Sequence, residues 1–182
     1  MRIKNDVIKL KECELLLRNP REEDAELLLR FLKTTCGETR FLMKEPEEIT
    51  LSLEEEKAFI VKQNESEQNL LILGFVDGEH VGNCSLMGMG MDRYRHRVSM
   101  AIALYQKYTG LGIGTAMIEK LFVIAREKGI EQIELEVVTD NDPAIALYKK
   151  MGFEIYGTFP DNMKYKDGTY ADAYWMMKKL EE

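Results

Sequence analysis

Three glycines at alternate positions, Gly110, Gly112 and Gly114, constrain this chain more than any other feature. They end an apolar segment and begin an amphipathic one, which predicts a strand, a glycine loop and then a helix. Because glycine lacks Cβ, the backbone N–H groups of such a loop can approach a ligand closely. The helix adds free N–H groups and the positive end of its dipole. The stretch therefore predicts a binding site for a phosphate or pyrophosphate group.

Length and composition are those of one globular domain. The chain has 182 residues, of which 45% are hydrophobic and 31% charged, and this suits a single domain over residues 1–182. The longest apolar stretches, such as residues 69–76, are far shorter than the ~20 residues of a membrane span. The N-terminus shows no apolar core or cleavage site of a signal peptide. We therefore expect a cytoplasmic protein without a membrane partner.

Cysteine content and charge exclude further classes. The three cysteines, Cys13, Cys36 and Cys84, are widely spaced and form no C-x-x-C pair, which argues against a disulfide framework and a structural metal. A net charge of −7 and a pI near 5.1 argue against nucleic acid as the main partner. The acidic balance is compatible with a cationic amine as substrate, although many cytoplasmic proteins are equally acidic.

The hydrophobic pattern predicts seven strands and four helices. Strands are expected over residues 14–18, 70–76, 81–89, 97–105, 133–137, 153–159 and 170–178. Helices are expected after residue 19, after residue 52, over residues 113–128 and after residue 140. This order predicts an α/β fold with a mixed, mostly antiparallel twisted sheet of about six to seven strands flanked by about four helices.

The starts of the first two helices carry local signals. Asn19 stands before a proline in the position of an N-cap. Ser52 and the glutamate three residues later form a capping box. The second helix should then bury an apolar face that includes Leu53, Phe59 and Ile60.

Several kinds of site use a glycine loop between a strand and a helix. The dinucleotide fingerprint needs G-x-G-x-x-G in a parallel βαβ unit, whereas the spacing here is G-x-G-x-G after a predicted antiparallel meander. The phosphate-binding motif G-x-x-x-x-G-K-[ST] is absent. The loop alone thus indicates phosphate binding, and a tight turn before a helix is the structural alternative.

Three segments lie at and after this loop. The loop reads Thr109-Gly-Leu-Gly-Ile-Gly114, and residues 141–153 read Asn-Asp-Pro-Ala-Ile-Ala-Leu-Tyr-Lys-Lys-Met-Gly-Phe. Residues 167–172 read Asp-Gly-Thr-Tyr-Ala-Asp, with Met176 beyond them. They resemble the R/Q-x-x-G-x-G/A loop, the N-x-x-A-x-x-L-Y-x-K-x-G-F block and the G-x-Y-x-D-x-x-x-M ending of the GCN5-related N-acetyltransferase (GNAT) superfamily. The resemblance covers nearly the whole chain.

This resemblance implies the acyl-CoA N-acyltransferase fold and acetyl-CoA as cosubstrate. Backbone N–H groups of the loop would hold the CoA pyrophosphate. A strand near residues 103–105 resembles the family's bulged strand, whose backbone binds the pantetheine arm and polarises the acetyl carbonyl. The residues assigned to acetyl-CoA in this way are Leu104, Leu111, Gly112, Ile113, Gly114, Thr115 and Asn141.

Two side chains of the second block have assigned roles and structural alternatives. Asn141 resembles the asparagine that binds pantetheine, and an asparagine before Asp-Pro would also cap a helix. Tyr148 resembles the general acid that protonates the departing thiolate. The alternative for Tyr148 is a core aromatic residue on the apolar face of that helix.

The general base stays unassigned. A lysine-like amine is neutral in only about one molecule in a few thousand at pH 7, so its proton must be removed. Family members often carry a glutamate on the strand before the glycine loop, where this chain has Ser99. Four residues are candidates on position or chemistry: His96, Glu38, Glu136 and Asp92.

Two other side chains bear on the site. Thr109 replaces the usual arginine or glutamine of the loop, so CoA binding is expected to depend on backbone N–H groups. Cys84 could be an acyl-enzyme nucleophile, but its strand position favours a small buried core residue.

The resemblance thus implies an N-acetyltransferase that moves the acetyl group of acetyl-CoA to a primary amine by direct attack in a ternary complex. The alternative is a non-catalytic acyl-CoA-binding module of the same fold. The acceptor is left open between a small-molecule amine and a peptide amine. A homodimer is also left open, because dimers are common in this family.

Overall fold

The computed structural model describes residues 1–180, within which eight strands and four α-helices are found. The strands, β1 to β8 in chain order, are Asp6–Lys9, Glu14–Arg18, Leu70–Val76, Glu79–Gly88, Arg97–Leu104, Gln132–Val138, Glu154–Lys164 and Tyr170–Lys179. The helices, α1 to α4, are Ala25–Glu38, Leu53–Glu65, Ile113–Glu127 and Asp142–Lys150. No helix within residues 1–180 is long and apolar enough to cross a membrane. Residues 181 and 182 of the predicted domain lie outside the described range.

All strands join one sheet in the order β1-β2-β3-β4-β5-β6-β8-β7. Every neighbouring pair is antiparallel except β5 and β6, which run parallel. The predicted α/β fold is therefore confirmed, with eight strands rather than six to seven. The additional strand is β1, a four-residue edge strand that pairs with β2 from Asp6↔Leu17 to Lys9↔Glu14. It is short, and its side chains are all partly or fully exposed, so its hydrophobic signal is weak.

The predicted N-cap at Asn19 is wrong. A short 3-10 turn precedes α1, which begins only at Ala25. The side chain of Asn19 instead accepts a hydrogen bond from the N–H of Ile3 (2.7 Å) and donates one to the carbonyl of Leu71 (3.0 Å). These contacts join the N-terminal segment to β3, and no local sequence signal could show that they take the place of a helix cap.

The second helix begins as predicted but buries a different face. Ser52 and Glu55 form the reciprocal capping box, with Ser52 N–H donating to the Glu55 carboxylate at 2.8 Å. Ile60 is fully buried, whereas Leu53 and Phe59 are more than 40% exposed. The helix packs through a narrow stripe against α1 and β3, so only part of its apolar set reaches the core.

The two faces of the sheet are covered unequally. The large core lies where α3 and α4 pack on one face, and it takes side chains from β2 to β6 and from β8. On the opposite face α1 and α2 form a smaller cluster around Leu73 and Phe75 of β3. Farther along that opposite face, Ala101 of β5, Glu136 of β6 and Trp175 of β8 are exposed. We call this uncovered part, formed by β5, β6, β8 and β7, the open face.

No bulge is found where the family resemblance implied one. β5 pairs with β4 in continuous register from Gly82↔Leu104 to Gly88↔Val98. The irregular pairings lie between β3 and β4, and between β7 and β8. The end of β5 is instead a close approach, because a Cβ on Gly82 would lie only 2.4 Å from the carbonyl oxygen of Ala103. Glycine is required there by space rather than by turn geometry.

Candidate active site

A gap opens between the two parallel strands. β5 and β6 pair only from Arg97↔Gln132 to Ser99↔Glu134, although the strands continue to Leu104 and Val138. Beyond the last pair their backbones diverge, which leaves an opening at the carboxyl ends of both strands. The open ends of parallel strands are a common place for a ligand.

The backbone of β5 presents hydrogen-bonding groups to this gap. The N–H of Tyr105 donates to the carbonyl of Val81 at 3.1 Å, which sets the alternation of the antiparallel ladder. By that alternation Ala101 and Ala103 bond toward β4, whereas Ile102 and Leu104 point their N–H and C=O groups toward the gap. Leu104 was predicted to bind the cosubstrate, and Ile102 was not.

The glycine loop leads into α3 without a side-chain cap. Gly110 and Gly112 have φ values of 78° and 82°, a left-handed conformation that favours glycine. A Cβ at either position would meet no atom within 4 Å, so the space beside the loop is open. The N–H of Ala116 bonds to the carbonyl of Gly112 at 3.1 Å, which leaves the first N–H groups of α3 for a ligand. Those groups belong to the predicted residues Ile113, Gly114 and Thr115.

Gly114 brings the loop close to α4 and to the end of β5. A Cβ there would lie 3.3 Å from a methyl carbon of Leu147 and 3.7 Å from one of Leu104. The glycine thus lets the start of α3 pack tightly beneath the gap. A larger residue would move α3 away from Leu147.

The side chains of the loop contribute no charge. Thr109 donates its hydroxyl hydrogen to the carbonyl of Gln106 at 2.8 Å, and Leu111 is 43% exposed. The nearby Lys107 lies 3.3 Å from the carboxylate of Glu79. The loop is therefore suited to bind phosphate through backbone N–H groups and the dipole of a fifteen-residue helix.

Asn141 caps the second helix at this site. Its side-chain oxygen accepts a hydrogen bond from the N–H of Ala144 at 3.3 Å, immediately before α4. The capping role is therefore present. The side-chain amide donates to no partner among the described residues, so it stays available to a ligand in the gap.

Tyr148 is nine-tenths buried on α4 and contacts the ring of Phe153 edge to face at 5.9 Å. Its hydroxyl has no hydrogen-bond partner among residues 1–180, yet it is not among their fully buried unpaired polar atoms, so it reaches solvent. Burial raises the pKa of Tyr148 to about 12, which keeps the phenol protonated at neutral pH. The structural alternative holds, because the ring belongs to the core. The acid role stays a prediction, which the accessible hydroxyl allows.

Three of the four candidate bases either lie away from the open end of the gap or already bond to another group. The carboxylate of Glu38 accepts the N–H of Gln106 at 2.9 Å. Asp92 forms an ion pair with Arg95 at 2.8 Å in the turn between β4 and β5. His96 precedes β5 and is exposed, eight residues and roughly 26 Å of extended chain from Leu104. Asp92 and His96 thus lie at the closed end of the gap.

Glu136, the fourth candidate, borders the gap on the open face. It lies two residues beyond the last β5–β6 pair. Its carboxylate accepts hydrogen bonds from the Asn162 amide at 2.7 Å and from the Trp175 indole N–H at 3.2 Å. Asn162 and Trp175 were not predicted as site residues, because a bulge in β7 and a cross-strand pairing bring them there.

The position of Cys84 favours its structural alternative. Cys84 is 1% exposed within the large core, and burial raises the pKa of its thiol, so it is a core residue. Within the described part of the chain, no three His, Cys, Asp or Glu side chains cluster as a metal site would require.

A family model described as the acetyltransferase (GNAT) family matches residues 28–153. The match includes the glycine loop, both sides of the gap and Tyr148. The chain belongs to the GNAT acetyltransferase family. The resemblance that the sequence motifs suggested is thereby confirmed.

Two curated relatives are named as N-acetyltransferases. L-amino acid N-acetyltransferase AaaT of Escherichia coli is 32% identical over 110 residues, which are 59% of this chain and 66% of that protein. An N-alpha-acetyltransferase of Sulfurisphaera tokodaii is 39% identical over 82 residues, which are 44% of this chain and 47% of that protein. The matched regions thus span less than two thirds of these relatives.

Solved structures of the family show the same architecture. A GNAT acetyltransferase from Streptococcus pneumoniae superposes with a TM-score of 0.86 at 30% identity, covering 91% of this chain and 99% of that one. The Salmonella typhimurium protein yncA, solved with its cofactor acetyl-CoA, superposes with a TM-score of 0.80 over 92% of this chain and 95% of its own. At 18% identity this second likeness concerns the fold alone.

Proposed function

We propose that this GNAT protein, as a single domain over residues 1–182, transfers the acetyl group of acetyl-CoA to a primary amine by direct attack in a ternary complex. The observation that carries the proposal is the gap between β5 and β6. The uncapped start of α3 and the helix α4, which carries Tyr148, lie on one face of the sheet at this gap, and the carboxylate of Glu136 borders it on the other face. The proposed location is the cytoplasm.

Acetyl-CoA fits the backbone groups that face the gap. The N–H groups of Leu111, Gly112, Ile113, Gly114 and Thr115 would hold the pyrophosphate, since the loop supplies no cationic side chain there. The polar backbone of β5 at Leu104 and the amide of Asn141 would bond to the pantetheine arm. The solved complex of yncA with acetyl-CoA supports this choice of cosubstrate.

Glu136 is the proposed proton acceptor for the amine. A carboxylate is a weak base, yet it removes a proton efficiently when it is held close to the attacking nitrogen, directly or through one water. Asn162 and Trp175 fix both of its oxygens, and each oxygen has a further lone pair for the amine. Asp92 and His96 lie at the closed end of the gap, and the carboxylate of Glu38 already accepts the N–H of Gln106.

Tyr148 is the proposed general acid. The departing thiolate must take up a proton, and a phenol that stays neutral throughout the physiological range can donate it. The raised pKa of Tyr148 makes donation to a thiolate in water unfavourable. Donation therefore requires the sulfur to lie beside the hydroxyl in the same desolvated space, where the pKa of the thiol is also raised.

The relatives support a free amino acid or a peptide N-terminus as the acceptor, because one acts on L-amino acids and another is an N-alpha-acetyltransferase. The test is the release of free thiol from acetyl-CoA over a panel of amino acids, peptides and small amines. We expect turnover with at least one class. Saturable CoA binding with no thiol release on any amine would overturn the proposal and favour the non-catalytic acyl-CoA-binding module.

A further inference from the structure

Three large aromatic side chains lie exposed together on the open face. Tyr156 and Trp175 stack with their ring centres 6.2 Å apart, and Phe159 lies 5.6 Å from Trp175. Their exposed fractions are 49%, 39% and 45% for Tyr156, Trp175 and Phe159 respectively. We call these three residues the aromatic wall. An exposed apolar cluster of this kind beside a candidate active site indicates a binding surface.

The central ring of the wall is held in one place. Trp175 pairs with Gly157 across the β7–β8 ladder. A Cβ on Gly157 would lie 3.2 Å from Cε3 of the indole, so the ring rests directly on the glycine backbone. Tyr156 and Phe159 lie on β7, the strand of Gly157, and flank the indole ring. One face of the indole is therefore supported by the sheet, and the exposed part of the ring is available to a ligand.

The wall is joined to Glu136 by a hydrogen bond. The indole N–H of Trp175 donates to one carboxylate oxygen at 3.2 Å, and Asn162 donates to the other at 2.7 Å. Asn162 lies in the bulge of β7, where Asp172 accepts the N–H of Asp161 at 2.8 Å. The bulge thus brings an amide to Glu136 that a regular strand would not.

The charge of Glu136 is not neutralised by any ion pair found within residues 1–180. Its two hydrogen-bond donors are both uncharged. Glu134, two residues earlier on the same face, is different, because Arg97 lies 2.7 Å from its carboxylate. Of these two neighbouring carboxylates, the one beside the aromatic wall is therefore the one left to attract a cation.

We infer that Glu136 and the aromatic wall together bind the acceptor, a primary amine with a large apolar group, such as an aromatic ring, close to its nitrogen. The inference rests on the proposed function and names the substrate class of that site. The cationic head would lie at Glu136, where both the carboxylate and the indole face attract it. The apolar group would cover Trp175 and Phe159 and remove them from water.

Position and sequence support this occupant. Glu136 borders the gap, so an amine held there lies beside the proposed thioester site. Tyr156, Phe159, Asn162 and Trp175 all follow residue 153, where the match to the family model ends. The wall is thus built from the part of the chain outside that match, as a surface that selects the acceptor would be.

Trp175 is the only tryptophan of the chain, so its fluorescence reports on the wall. The experiment titrates the full chain, with CoA present, with 2-phenylethylamine, ethylamine and 2-phenylethanol. We expect a saturable change in emission with 2-phenylethylamine. Ethylamine, which lacks the ring, and 2-phenylethanol, which lacks the charge, should bind at least about tenfold more weakly. Equal responses to all three, or no response, would overturn the inference.

Variants separate the wall from the rest of the protein. Trp175→Leu should raise the KM for 2-phenylethylamine about tenfold and leave the KM for acetyl-CoA unchanged. Phe159→Leu serves as a second variant if Trp175→Leu does not fold, and it should raise the same KM less. The matched control is Tyr170→Leu, which removes an exposed aromatic residue of the same strand on its other face and should change neither constant.

The outcomes also distinguish the inference from the proposed function. Thiol release on many amines with silent Trp175 emission would remove the inference and leave the proposed function in place. Saturable emission changes with no thiol release on any amine would remove the proposed function and leave amine binding at the aromatic wall in place. Emission that depends on protein concentration, with a dimer in sedimentation, would assign the wall to an interface between copies and overturn the inference.

Discussion

The two sides of the candidate site are built from different material. Beneath the gap, the side that we propose for the cosubstrate, called the cosubstrate side, presents backbone N–H groups at the start of α3 and backbone groups of β5, and the loop side chains carry no charge. On the open face, the side that we propose for the acceptor, called the acceptor side, presents side chains alone: a carboxylate, an amide and three aromatic rings. One side is made by local chain conformation, and the other by residues that meet only across strands.

This difference predicts which amino-acid substitutions each side tolerates. A backbone site depends on glycine conformation, so Thr109 can replace a charged residue without removing the binding groups. A side-chain site depends on identity, because Glu136 has no substitute among its neighbours. Substitutions should therefore act on chemistry and acceptor recognition at the open face, and on acetyl-CoA affinity at the glycine loop.

The largest effect is expected at Glu136. Glu136→Gln keeps the shape and one oxygen acceptor but removes the proton acceptor, so kcat/KM for the amine should fall about 100-fold or more. The remaining rate should rise with pH as more of the amine becomes neutral. Steady-state rates across pH 6 to 10, with the melting temperature as a check on folding, measure this.

Glu134→Gln is the control on the same strand and face. It removes the ion pair with Arg97, so it should lower the melting temperature and leave kcat and its pH profile in place. Equal losses of kcat/KM in both variants would show that the face acts through general charge, and the assignment of Glu136 would fall.

A smaller effect is expected at Tyr148. Tyr148→Phe keeps the ring in the core and removes the hydroxyl, so kcat should fall about 10- to 100-fold with little change in either KM. Tyr174→Phe, a partly buried ring against the same core, should leave kcat unchanged. Unchanged turnover of Tyr148→Phe at neutral and raised pH would remove the acid role.

Tyr148 also predicts how the stability of the fold changes at alkaline pH. Burial raises the pKa of Tyr148 from 10 to about 12, so the folded state holds a proton that the unfolded state loses above pH 10. The contribution of Tyr148 to the free energy of unfolding is complete below pH 10 and disappears by pH 12. This is a loss of about 2 to 3 kcal/mol. Denaturant unfolding between pH 9 and 12 should show a shallower decline in Tyr148→Phe than in the parent chain.

The smallest effect on catalysis is expected at the glycine loop. Gly112→Ala places a Cβ in the open space beside the loop and strains a backbone at φ 82°. The KM for acetyl-CoA should rise about tenfold through the displaced loop, with kcat changed least. Isothermal titration with CoA checks the loss of affinity directly.

Gly129→Ala is the matched control for this loop. Gly129 ends α3 at φ 69°, and a Cβ there also meets nothing within 4 Å. Both variants should lose about 1 kcal/mol of unfolding free energy, but only Gly112→Ala should lose CoA affinity. Similar affinities in the two variants would contradict a phosphate site at the start of α3.

The cosubstrate side could be predicted from sequence because its signals are local. The spacing of Gly110, Gly112 and Gly114 indicates a ligand-ready helix start in any fold that contains it. Asn141 before Asp-Pro likewise predicts a helix cap, and the cap is present. Most strands and helices followed from periodicity in the same way, whereas the cap at Asn19 failed because the side chain has tertiary partners.

The acceptor side was decided by tertiary structure. Glu136 was one of four open candidates for the base, and the proposal for it rests on strand divergence, on the distance of Asp92 and His96 from the open end of the gap, and on the partner of Glu38. Asn162 and Trp175 reach it from β7 and β8, 26 and 39 residues away in the chain. The sequence by itself determined the backbone conformation within single turns, strands and helix starts. The tertiary structure determined which distant side chains bond to the carboxylate of Glu136, because the register between strands depends on residues far apart in the chain.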